Sequence, residues 1–225
     1  MRSELKAVVR AGGLTRTSGD PVFSHCGTAG NWSVRAGIIG MGPEAARAAT
    51  ERMLKQGPLD HVMVVGIAGG LDPSLPVGAL MVPNRVQLHP DGPVRHTRPL
   101  PPRVAEGGLM TTVGLFSDDH QWRPILESGY GAVDMEASGV GEACERVGVA
   151  WSVYRGISDR PDEHIVDQAV FGLSKADGSP DLLAVGRYLI GDPRRARSLA
   201  HLNRCMQLAA RVAAEAAFAD LAQSS

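Results

Sequence analysis

Short apolar runs alternate along this chain with stretches in which apolar residues recur every three or four positions. Leu5 to Val9 reads as a first strand and Val34 to Ile39 as a later one. Pro43 to Lys55 predicts a helix, with Pro43 in the first turn, where its missing N–H has no partner to lose. His61 to Gly66 and Ala79 to Val82 read as strands. Between Glu136 and Val147 the apolar residues Val140, Ala143, Cys144 and Val147 fall at i, i+3, i+4 and i+7, the period of a helix with one buried face. Val149 to Arg155 follows as a strand, and Leu208 to Leu221 as a closing helix. The Pro- and Gly-rich stretch from Pro83 to Gly108 reads as loop and edge structure. Strand, helix, strand in succession implies right-handed crossovers. The predicted fold class is α/β: one domain over 1–225, three layers α/β/α, around a central mixed, mostly parallel twisted sheet.

Composition narrows the function classes. The chain has 225 residues, 44% hydrophobic, enough to bury a sizeable single core. The net charge of −1 comes with scattered Lys and Arg, so no nucleic-acid or membrane-surface footprint is expected. Met1-Arg2-Ser3-Glu4-Leu5-Lys6 is charged and carries no signal-peptide core, and no run approaches the roughly 18 apolar residues of a membrane span. Cys26, Cys144 and Cys205 are far apart without a CxxC pair, which argues for reduced thiols in a cytoplasmic protein. The seven histidines are dispersed without ligand spacing, so neither a metal nor another cofactor is expected.

Four motifs carry possible chemistry. Val65-Gly66-Ile67-Ala68-Gly69-Gly70-Leu71 reads as a strand entering a glycine-rich turn, where backbone N–H groups can approach an anion or a sugar. It lacks the spacing of a P-loop or a dinucleotide fingerprint, and alone it is equally an ordinary turn. Gly40-Met41-Gly42-Pro43-Glu44 opens a helix, as an anion site or as plain capping. Ala132-Val133-Asp134-Met135-Glu136 and Arg155-Gly156-Ile157-Ser158-Asp159 place acids where apolar runs stop, and such strand ends bind ligands in parallel α/β folds. Glu136 at a helix start is expected to be ionised by the helix dipole. Asp159 in a dry site would have a raised pKa and serve as a general acid. Taken singly, each is more simply a helix-end or turn carboxylate; two of them beside Gly66 to Gly70 favour a functional reading.

These motifs, with Val77-Gly78-Ala79-Leu80, resemble the purine nucleoside phosphorylase and nucleosidase superfamily over roughly 37–162. The methylthioadenosine/S-adenosylhomocysteine nucleosidases and the hopanoid-associated phosphorylase-like proteins are the branches most alike. The resemblance implies a nucleoside phosphorylase-like fold, a small-molecule nucleoside substrate and a homo-oligomer. It assigns Met135 and Glu136 to the ribose, and Asp159, supported by Ser158, to the purine N7. Gly66, Ile67, Ala68 and Gly69 fall on the nucleophile side of the sugar. Thr112, Val113 and Phe116 fall in the base-binding loop, although Phe116 is equally readable as a core residue. The activity implied is hydrolytic release of adenine from a 5′-modified adenosine.

Two departures bear on the nucleophile. The arginine and the serine or threonine that phosphorylases of the superfamily place at the glycine turn are replaced by Val64-Val65 and Ile67, which removes the strongest bidentate partner for phosphate and favours water. The glutamate that orients water in nucleosidases is expected around Ala11 to Thr17, where no acid stands; Arg16 there is a candidate phosphate contact or a solvated loop residue. A phosphate-dependent phosphorylase, a nucleoside-binding protein without catalysis and an unrelated carboxylate-paired glycosidase therefore stay open. Phe171 to Asp181 resembles the hopanoid-associated branch, which implies an apolar 5′ pocket lined by Val166, Val170, Phe171 and Leu173.

Overall fold

The computed structural model describes residues 1–114, 116, 118–160 and 195–224. Helix α1 (Arg2–Ala11) comes first, then a small antiparallel sheet of β1 (Thr15–Arg16), β2 (His25–Ala29) and β3 (Trp32–Ala36). Helix α2 (Pro43–Leu54) leads into β4 (His61–Gly70), β5 (Leu80–Met81), β6 (Arg85–Leu88), β7 (Val94–His96) and β8 (Gly108–Thr111). There follow α3 (Asp119–Glu127), β9 (Tyr130–Asp134), α4 (Ala137–Val147), β10 (Ala150–Asp159) and α5 (Arg195–Gln223). The central sheet has seven strands in the order β5-β10-β4-β9-β8-β6-β7. Its longest ladder, β10 with β4, is parallel, as are β9 with β8 and β8 with β6. Short antiparallel joins at β5, β7 and the β4–β9 contact make the sheet mixed. The predicted α/β class, with helices on both faces of a mixed and mostly parallel sheet, is what the chain adopts.

Burial on both faces explains why β4 and β10 read as near-continuous apolar runs. Val62 and Val64 pack with Val140, Cys144, Trp151 and Val153 on the α4 side. Met63 and Val65 pack with Tyr154 and with Ala213 and Ala217 of α5. Alanines on α5 let its backbone lie close to the sheet. The carboxylate of Asp220 fastens this helix: it accepts from Tyr154 Oη at 2.7 Å and from Arg103 Nε and Nη2 at 2.8 and 2.9 Å.

Several expectations are corrected. Leu5 to Val9 is helix, not strand: Leu5, Val8 and Val9 have the i, i+3, i+4 spacing of a helix face, and α1 lays that face against α5. Gly66 to Gly70 is not a turn but the last half of β4, which pairs with β9 through Gly69 and Gly70. Those glycines are needed for close packing: a Cβ at Gly70 would lie 3.1 Å from Ile157 Cγ2 and 3.3 Å from the Asp159 carbonyl oxygen. The turn itself starts at Asp72, whose Oδ1 accepts from Ser74 N at 2.8 Å. The last strand begins at Ala150 and runs on to Asp159, and the closing helix starts well before Leu208, at Arg195. Within the stretch read as loop and edge, β6 and β7 form regular strands, β7 at the sheet margin.

Gly156 marks the tightest approach of α5 to the sheet, since a Cβ there would meet the Ala209 carbonyl oxygen at 2.1 Å. Overpacking of this kind costs about 1–3 kcal/mol. Gly156→Ala is therefore expected to lower the urea midpoint clearly; an unchanged midpoint would contradict the close docking of α5 on β10.

Candidate active site

Arg155 stands in the middle of the buried run of β10 and is 3% exposed. A guanidinium placed there must be compensated, and three carboxylates do so. Asp134, the last residue of β9, accepts from Nε at 3.1 Å and contacts Nη2 more closely. Glu136 Oε2 lies 3.0 Å from Nη2, and Glu4 Oε1 lies 3.7 Å from Nη1. Glu4 comes from the first turn of α1, where its Oε1 also accepts the backbone N–H of Ile67 at 3.0 Å and its Oε2 meets the Met1 amino group. Gly66 makes room for this meeting: a Cβ there would collide with Glu4 Oε1 and Arg155 Nη1.

Asp134 does two structural jobs beyond holding Arg155. It accepts from the N–H of Ala137 at 3.0 Å, capping α4, and from Thr111 Oγ1 at 2.7 Å. Thr111 Oγ1 in turn accepts the N–H of Ser138 at 3.0 Å. The first turn of α4 is thus satisfied without the Glu136 side chain, although Glu136 is the N-cap residue. Its carboxylate stays in the cluster.

With one guanidinium among three carboxylates, the cluster resists full ionisation. Burial raises the pKa of Glu136 from 4.5 to about 7, with the Arg155 charge opposing and the Asp134 and Glu4 charges assisting. That corrects the expectation that the helix dipole would keep Glu136 ionised. The dipole acts over one turn and is worth about 0.3–1 kcal/mol, less than the burial it opposes.

Asp159 closes β10 at the other end of the Gly66–Gly69 segment. A Cβ at Gly69 would lie 3.5 Å from Asp159 Oδ2, so the carboxylate rests beside that glycine. Ser158 is buried, with Oγ 3.2 Å from the Ala68 carbonyl oxygen and within hydrogen-bond reach of Asp159 Oδ1. Asp159 itself is half-buried, as is Met135 between Asp134 and Glu136. Three residues of strand separate the Glu4–Arg155 cluster from Asp159, roughly 10 Å at 3.3 Å per residue.

The other expected positions spread out. Ile67 meets Glu4 through its backbone, and Ala68 is buried. Thr112 is buried, its Oγ1 donating to the Gly114 carbonyl at 2.8 Å, while Val113 projects outward at 75% exposure. The Phe116 ring packs beside Leu71, Met110, Ile125 and Tyr130, and meets the His89 ring edge-on at 5.5 Å, so the core reading of Phe116 describes these contacts. Arg16 stands exposed on β1. Val166, Val170, Phe171 and Leu173 lie outside the described residues. No group of three or more His, Cys, Asp or Glu among the described residues is arranged to hold a metal, and no described helix is long and apolar enough to cross a membrane.

Two residues of the cluster were not singled out from the sequence. The signal for Arg155 was a charge inside an apolar strand, which demands buried partners. Glu4 was hidden because a strand reading of Leu5 to Val9 puts no helix turn beside it.

Comparison with known proteins bears on the fold. Residues 15–105 match the family model described as the phosphorylase superfamily. No curated protein matches the chain in sequence. Among solved structures, futalosine hydrolase of Helicobacter pylori superposes with a TM-score of 0.69 at 16% identity, covering 100% of this chain and 95% of its own. The 5′-methylthioadenosine/S-adenosylhomocysteine nucleosidase of Neisseria meningitidis, bound to methylthio-immucillin-A, gives the same score, identity and coverage. The Helicobacter pylori nucleosidase of that name, bound to butyl-thio-DADMe-Immucillin-A, gives 0.66 at 17% identity, covering 96% of this chain and 91% of its own. The fold is that of the nucleoside phosphorylases and nucleosidases. The expected nucleoside phosphorylase-like fold is thereby borne out.

The raised pKa of Glu136 has a consequence for stability. Folded Glu136 keeps its proton up to about pH 7, whereas an unfolded glutamate releases it near 4.5. The favourable contribution is complete below 4.5 and is lost as pH rises through 7. Glu136→Gln should flatten the fall in stability across this window, measured as denaturation midpoint against pH. An identical slope in the variant would contradict the assignment.

Proposed function

We propose that this protein hydrolyses the N-ribosidic bond of a purine nucleoside, releasing adenine from a 5′-modified adenosine. The observation that carries the reading is the placement of Glu4 and Glu136 around Arg155 at Gly66–Ile67, with Asp159 at Gly69. Breaking the ribosidic C–N bond leaves an oxocarbenium-like sugar on one side and an electron-rich base on the other. Asp159 hydrogen-bonds or protonates the purine N7, so the base departs without net negative charge. Ser158 orients that carboxyl. Glu136, when ionised, accepts ribose hydroxyls and faces the growing positive charge, with Met135 under the sugar. Water attacks C1′ as the bond to N9 breaks, the bonding pair leaves with the base, and the water proton passes to Glu4.

The same cluster favours water over phosphate. Arg155 is the guanidinium nearest the nucleophile side, and three carboxylates already surround it. A phosphate dianion would have to compete with these carboxylates for the guanidinium, whereas water needs only an acceptor. Glu4 supplies one, in place of the acid expected near Ala11 to Thr17. The 5′ substituent proposed is a methylthio, homocysteinyl or larger apolar group, and the assembly proposed is a cytoplasmic homo-oligomer.

The test is free adenine released from methylthioadenosine, S-adenosylhomocysteine and adenosine, with and without phosphate. Release independent of phosphate is expected; strict dependence on phosphate would overturn the reading. A positioned general acid or base contributes about 10²–10⁴-fold. Asp159→Asn and Glu4→Gln are each expected to lose at least about tenfold in kcat while keeping the wild-type circular dichroism spectrum. Near-normal turnover in Asp159→Asn would remove its role at the base.

A further inference from the structure

β8 ends in a buried hydroxyl group. Thr111 is fully buried and is the register partner of Asp134 on β9, so both side chains leave the sheet on the same face. Its Oγ1 accepts the Ser138 N–H at 3.0 Å and lies 2.7 Å from Asp134 Oδ1. An N–H can only donate and a hydroxyl carries one proton, so that proton is left for Asp134. The first turn of α4 thereby fixes the direction of the Thr111–Asp134 bond.

The three carboxylates around Arg155 differ in what else holds them. Asp134 Oδ2 accepts from the Ala137 N–H and from Arg155 Nε and Nη2. Among the described residues, Thr111 is the one donor to Asp134 Oδ1. Glu4 Oε1 accepts the Ile67 N–H. Glu136 has neither a backbone N–H nor a hydroxyl: its Oε2 meets Arg155 Nη2 at 3.0 Å, and its side chain caps no N–H of α4. Each donated bond favours a charged carboxylate over its neutral acid. A proton entering this cluster goes to the carboxylate with the fewest donors.

We propose that Thr111 is a positioning residue: by donating to Asp134 it keeps that carboxylate on Arg155 and leaves Glu136 as the acid that gains and loses the proton. Without the hydroxyl, Asp134 Oδ1 and the Ser138 N–H are both left dry and unpaired. Either Oδ1 then competes for the proton, or Asp134 turns toward Ser138 and loosens its hold on Arg155. The first relieves Glu136 of a neighbouring negative charge, and the second frees the guanidinium for it. Both favour ionised Glu136. The charged groups facing Glu136 are Arg155 of β10, Asp134 of β9 and Glu4 of α1, with the Met1 amino group beyond Glu4. Of these, Thr111 touches Asp134 alone. The bearing on turnover rests on the nucleosidase reading, in which ionised Glu136 holds the ribose.

The carboxyl titration of Glu136 tests this without substrate. It is followed by ¹³C NMR of the glutamate-labelled full chain and assigned by its loss in Glu136→Gln. Wild-type Glu136 should titrate at about 7. Thr111→Val, of similar shape, should lower that midpoint by about one pH unit, and Thr111→Ser, which keeps the hydroxyl, should leave it in place. A merely structural threonine would change the unfolding midpoint in Thr111→Val and leave the titration where it was; that result would overturn the proposal. In the wild-type protein the Thr111 hydroxyl proton should exchange slowly enough to give a resolved resonance with a cross-peak to the Ser138 amide. Exchange at the rate of a solvent-exposed hydroxyl would overturn the proposal even if Thr111→Val does not fold. The acid limb of kcat against pH should move with the titration. The expected titration shift without turnover in any variant would support the charge assignment and count against the nucleosidase reading alone.

Discussion

The compensation of one buried guanidinium organises this molecule. Arg155 has no water to solvate it, so the surrounding elements must deliver negative charge to one point. β9 ends at Asp134 to do so, α4 starts at Glu136, and the first turn of α1 brings Glu4. Each acid comes from a different element, so the cluster forms only when the sheet and both helices are assembled. Buried ion pairs of this kind rarely add stability over an apolar core, because desolvation offsets the attraction. Their value here is positional: the cluster holds the Glu4 carboxylate against the Gly66–Ile67 backbone and keeps Glu136 poised to change charge near pH 7.

The glycine segment links that cluster to the second acid. Gly66 admits Glu4 and Arg155, Gly69 admits Asp159, and Gly70 admits Ile157 and β9. None of these glycines has a positive φ. They are needed for what lies beside them, not for backbone freedom. The result is a strand end with little side-chain bulk, with the charge cluster at Gly66 and the Asp159 carboxylate at Gly69.

Much of this was legible in the sequence, unevenly. Apolar periodicity located α2, α4 and the core of β4 and β10, because burial on one or two faces leaves a regular pattern. Glu136 and Asp159 were legible because each stands where an apolar run stops. Glu4 was not, since Val8-Val9 weighed toward a strand while the helical spacing of Leu5, Val8 and Val9 was the better guide. Gly66 to Gly70 misled for a different reason: glycine suggests a turn unless the close neighbours that require it are known. The protonation of Glu136 could not be read locally, because it depends on residues some twenty and more than a hundred positions away.

The central claim is that this cluster directs water, not phosphate, to the sugar. Cleavage of a substrate nucleoside in ¹⁸O-labelled water, with phosphate present, tests it most directly. The account predicts one ¹⁸O atom in the released sugar beyond what free sugar gains by exchange in the same time. A sugar 1-phosphate without label would contradict it.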